Sequence, residues 1–134
     1  MKAYTNIQQS KKLAEILSLD SADQTWEIIA IAGANLGVPE EMQYWHNGNT
    51  PCILNSKIGI PCWSLAALLE ILPDEIIDDN GDKIPIDIRK YDSKYLIAYR
   101  NDLKWSDTIA TDEYENLVDT CVEMILDLHK QKLL

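Results

Sequence analysis

The sequence predicts an α+β fold: one single domain over residues 1–134, an antiparallel β-meander of about three strands with helices packed on one face. Three observations lead there. The closing segment TDEYENLVDTCVEMILDLHKQKLL places apolar residues at helical spacing. The preceding segment EIIDDNGDKIPIDIRKYDSKYLIAYR alternates apolar and polar residues around two turn signals. Between these and the N-terminal part, PCWSLAALLEILP sets a short apolar run between prolines. Local helices beside hairpin-linked strands give helices on one side of an antiparallel sheet.

Taken in order, Thr5 and Asn6 offer caps for a first helix carrying Ile7, Leu13, Ile16 and Leu17, with Lys11, Lys12 and Glu15 toward solvent. The next stretch, SADQTWEIIAIAGANLG, opens with Ser21 and Gln24 at capping-box spacing and stops at Gly37, which favours a helix over residues 22–36. Trp26, Ile28, Ile29 and Ile31 are also strand formers, and Gly33 weakens a helix interior, so a strand competes closely. From about 38 to 61 the composition turns to Pro, Gly, Asn, Thr and Ser around Tyr44, Trp45, Ile53 and Leu54, which reads as a long irregular connection. Loops of that kind carry binding surfaces.

Ser64 is a good N-cap for a helix whose Leu65, Leu68, Leu69 and Leu72 fall on one face, and Pro73 ends it. Trp63 then stands at the position that staples onto Leu68. Asn80 and Gly81 supply the positive-φ pair of a two-residue type I′ turn. Ile84, Ile86 and Ile88 alternate with Pro85, Asp87 and Arg89, and a second reversal at Asp92 and Ser93 leads into Tyr95–Tyr99. In the last helix Val118, Cys121, Val122, Ile125 and Leu128 line one face, while Asp119, Glu123 and Asp127 line the opposite one.

The balance of 22 acidic against 12 basic residues gives a net charge of −10 on 134 residues. Such a chain repels nucleic-acid phosphates within a Debye length of roughly 8–10 Å, so no direct nucleic-acid partner is expected. No apolar run of about 18 residues suggests a membrane span, and the start MKAYTNIQQSKKL lacks a signal-peptide core, so a cytoplasmic location is expected. Cys52, Cys62 and Cys121 form no CxxC pair and leave one thiol over under any pairing, which fits a reducing compartment.

PCWSLAALLEILP, the hairpin ending YLIAYR and the helix NLVDTCVEMILDLH together resemble small uncharacterised proteins found mainly in gut bacteria, often in phage or mobile-element regions. Those proteins share a PxWSLxxLL…LP motif and an acidic C-terminal helix. The resemblance covers the C-terminal 75 residues or so and extends to the QQSKKLAEIL start, with no counterpart for Trp26 to Ile60, and it implies a packing signature rather than an activity, since Cys62 stands at the motif's variable position.

Candidate chemistry is weighed against plainer roles. Cys62 before a helix has the placement of a dipole-activated thiolate, but a cysteine nucleophile needs a histidine to take its proton. The chain offers His46, upstream, and His129, near the end of the last helix. A small buried hydrophobe is the stronger reading of Cys62. His46, Cys52 and Cys62 match no zinc spacing. DDNGD at 78–82 lacks the sixth-position glycine of a calcium loop, where Lys83 stands, so a turn explains it. No catalytic, cofactor-binding or metal residue is assigned and no cofactor is expected. The function expected is that of a non-enzymatic accessory or regulatory protein that binds another protein. The alternatives are an acidic inhibitor or DNA mimic of mobile-element origin, for which the Asp119–Glu123–Asp127 stripe would serve, and a small-molecule-binding or enzymatic domain using the 26–60 insert.

Overall fold

The computed structural model describes residues 2–28, 44–45, 52–53 and 60–134. Among these residues the architecture is α+β, with three α-helices and antiparallel sheets. By internal contacts the chain forms two compact units, Tyr4–Ala67 and Leu68–Leu134 together with Met1–Ala3.

In the N-terminal unit, helix α1 (Ile7–Ala14) starts because Asn6 and Gln9 cap each other: the Asn6 side chain accepts from the Gln9 N–H, and the Gln9 side chain accepts from the Asn6 N–H. Ile7, Ser10 and Leu13 face inward. A 3₁₀ turn at Leu19–Ser21 leads to strand β1 (Gln24–Ile28). This corrects the helix favoured over residues 22–36: as far as Ile28 the segment is extended. Thr25 and Trp26, adjacent in sequence, are both buried. A strand covered on both faces loses its period-2 signal and cannot be told from a buried helix by pattern. The remainder to Leu36, and the Gly37 stop, lie outside the described residues.

Strand β1 pairs antiparallel with β2 (Tyr44–Trp45), β3 (Cys52–Ile53) and β4 (Ile60–Cys62). Because β3 and β4 both pair with Gln24 and Thr25, they flank β1 on opposite edges. The irregular connection expected over 38–61 therefore contains short strands. Two-residue strands owe their pairing to β1 and carry no pattern of their own. Ile7, Trp26 and Cys62 form a core, with Tyr4 and Ile60 against it and the Tyr4 ring edge-on to Trp26 at 5.7 Å.

Helix α2 (Leu65–Ile71) follows, its Ser64 Oγ accepting from the Ala67 N–H at 3.2 Å as an N-cap should.

In the C-terminal unit the sheet runs β5 (Glu75–Ile77), β6 (Lys83–Tyr91), β7 (Lys94–Asn101), β8 (Ser106–Ala110), each antiparallel to the next. The expectation of about three strands thus falls one short. SDTIA at β8 buries only Ile109 and reads as a polar loop. Ile86 and Ile88 lie opposite Tyr99 and Ile97, giving one apolar face. Helix α3 (Leu117–Lys130) packs against β7, capped by Asn116, whose side chain accepts from the Asp119 N–H. Val118, Cys121, Val122, Ile125 and Leu128 are all buried, as the spacing requires.

The two turns exchange geometries. Only Gly81 in the first has positive φ, +83°, and the Gly81 N–H donates to the Asp78 carbonyl. The Asp78 carboxylate accepts from the Asn80 and Asp82 N–H groups, so the link is a type I turn closed by a left-handed glycine, not the I′ turn expected. The I′-like signature falls on Asp92 and Ser93, φ 49° and 62°, between β6 and β7.

Candidate functional site

Among the described residues, those singled out by chemistry do not assemble into a reactive centre. Cys62 is fully buried, and burial pushes its thiol up to about 11 against the thiolate; a Thr5 hydrogen bond offsets this only in part. Cys121, on the inner face of α3, is raised to about 12 by burial. His129 is exposed in the last turn of α3. His46 lies outside the described residues, as does most of the 26–60 insert. Among the described residues no group of three or more His, Cys, Asp or Glu side chains could hold a metal. DDNGD forms the turn described above.

What surrounds Cys62 is a structural hub that sequence reading missed. The Thr5 N–H donates to the Trp63 carbonyl at 2.9 Å, and the Thr5 carbonyl accepts from Trp26 Nε1 at 3.1 Å. Thr5 Oγ1 meets Ser10 Oγ at 2.7 Å, the Trp63 N–H at 3.2 Å and Cys62 Sγ at 3.5 Å. Trp63 is itself fully buried, its indole N–H donating to Ser21 Oγ at 3.0 Å. A threonine beside a helix cap gives no sequence signal for such a role.

The acidic stripe on α3 is partly neutralised. Asp119 pairs with Lys2 at 2.7 Å and accepts from the Asn116 amide. Glu123 accepts from the Tyr114 hydroxyl, and burial, then Asp112, raise its carboxyl above the usual range. On the face of the sheet away from the isoleucines, Arg89 is clasped by Asp87 at 2.6 Å and Asp107 at 2.7 Å.

The notable surface lies at one end of the C-terminal unit. There β5 ends, β6 begins, β7 ends and β8 begins, so the turns 78–82 and 102–105 project side by side. Thr120, near the start of α3, reaches the Tyr95 carbonyl toward the far end of the sheet, so the last turn of α3 arrives at this one. It closes with the Leu133 N–H on the Leu128 carbonyl and the Lys132 N–H on the His129 carbonyl, with Lys132 left-handed at φ 60°. Ile77, Leu103, Trp105, Leu133 and Leu134 are all exposed here. An open cleft of about 370 Å³ is lined by the apolar Ile76, Ile77 and Leu133 and the polar Asp78, Asp79 and Gln131, among others.

The 102–105 tip is ordered by Asn101, whose side chain accepts from the Leu103 and Lys104 N–H groups. Leu103 is 92% exposed and Trp105 80% exposed, and Trp105 adopts φ 53°. A bulky residue in left-handed backbone is strained. The Arg100 guanidinium lies 5.6 Å from the centre of the Trp105 ring. The sequence reading assigned nothing to residues 101–110; the NDLKW spelling, with two apolar residues beside Asn and Asp, was the available signal.

No family model matches the chain, and neither the curated proteins nor the solved structures contain a match. Among the described residues no helix is long and apolar enough to cross a membrane.

Proposed function

We propose that the protein is a non-enzymatic accessory module that binds another protein through the Leu103–Trp105 end of its C-terminal unit. The observation that carries this reading is Trp105: a tryptophan held in strained backbone and left 80% exposed stabilises nothing in its own fold in proportion to what it costs. Tryptophan is among the residues most enriched at binding hot spots, and clustered exposed apolar groups mark interaction surfaces. The buried, raised thiols weigh against covalent chemistry. The alternative of an acidic DNA mimic draws less support, because Asp119 and Glu123 are engaged within the protein. An origin in mobile elements, suggested by the motif resemblance, is compatible with an accessory role.

The test is affinity capture of the tagged chain from its native host with quantitative mass spectrometry, beside a Leu103→Ser/Trp105→Gly variant. A stoichiometric partner should be captured by the parent and reduced roughly tenfold or more in the variant, the loss expected for a hot spot worth at least about 1.4 kcal/mol. Equal capture of that partner by both proteins refutes the assignment.

A further inference from the structure

We propose that, when no other protein occupies it, this end is covered by a second copy of the chain: the Leu103-Lys104-Trp105 tip of each copy enters the cleft of the other, in a closed two-fold dimer. The proposal rests on the reading that this end is a docking surface, and adds what fills it. Its basis is the match between tip and cleft. The charged residues of the cleft lining are Asp78 and Asp79, with no base among them; Ile76, Ile77 and Leu133 supply its apolar part and Asn80, Thr108 and Gln131 the rest. The tip sets one cation between two exposed apolar side chains. Lys104 makes no ion pair among the described residues, and Asp79 is likewise exposed and unengaged there. At about 370 Å³ the cleft is large enough to admit part of one side chain from the tip.

The topology closes the arrangement. Tip and cleft sit at the same end of the same sheet, so one two-fold axis brings each tip to the other copy's cleft at once. The tip backbone is also preorganised by Asn101, so less freedom is lost on insertion. Lys104 then meets the carboxylates at the rim, where charge pairing sets register.

The test is sedimentation of the purified chain from micromolar to millimolar concentration, with four variants: Leu103→Ser, Lys104→Glu, Asp79→Lys and the exchange Lys104→Glu/Asp79→Lys. All sites are exposed, and circular dichroism confirms the fold of each. The parent mass should rise from 15.3 kDa toward twice that value. Leu103→Ser and each single charge reversal should weaken the dimer roughly tenfold or more, and the exchange should restore it. A parent that stays monomeric, a dimer indifferent to the variants, an exchange that fails to restore it, or a mass growing beyond two copies each overturns the proposal. None of these touches the docking reading, which fails only if the captured partner ignores the Leu103/Trp105 changes.

Discussion

Replacing Trp63 with alanine tests whether the cysteine–tryptophan pair before α2 is an anchor or a reactive site. Trp63 is fully buried, and truncating a buried tryptophan typically costs about 3–5 kcal/mol through lost transfer energy and the cavity left behind. Its indole bond to Ser21 Oγ adds little to the alanine penalty, because that hydroxyl still donates to the Ser18 carbonyl at 2.7 Å. Against a total stability of about 5–15 kcal/mol, the loss is a large share. With a urea slope of about 2 kcal/mol per M, a loss of ~4 kcal/mol moves the midpoint down by about 2 M. Trp63→Phe keeps most of the ring and should lose only about 1–2 kcal/mol, the bond and the smaller contact area. Urea melts followed by circular dichroism give both values, and iodoacetamide labelling with site mapping gives the companion result at Cys62, which should stay unmodified at neutral pH. A Trp63→Ala loss below about 1 kcal/mol, or fast labelling of Cys62 at pH 6, refutes the anchor.

Two further outcomes follow from the same physics. Gly81→Val should destabilise by about 1–2 kcal/mol, and Gly81→Asn by less, since an added Cβ meets nothing within 4 Å and the cost lies wholly in the left-handed backbone; equal melts for all three proteins would remove that assignment. Stability should be flat near neutral pH and fall as pH climbs from about 9 toward 11 and 12. Cys62 and Cys121 ionise near 9.0 when unfolded but are raised to about 11 and about 12 when folded, so the protonated folded state loses its advantage across that window. Urea melts at stepped pH check this, and replacing either cysteine with alanine should flatten the decline.

Much of the local structure is written in the sequence because its causes are local. The Asn6 cap, the Ser64 cap, the stop at Pro73, the reversal at Asp92–Ser93 and the inward face of α3 each depend on a few neighbouring residues, and each stands where the spacing puts it. The α+β class follows from those pieces. What the tertiary structure decided is everything that needs a distant partner. Residues 24–28 are a strand because β3 and β4 pair along both of their edges, which overrides an ambiguous propensity. Thr5 became a hub only once Trp26, Cys62 and Trp63 closed around it. The exposed end exists because strand order sets turn 102–105 at the same end of the sheet as turn 78–82 and the end of α3; in the sequence Ile77, Trp105 and Leu133 are separate apolar residues, and only the fold brings them to one end.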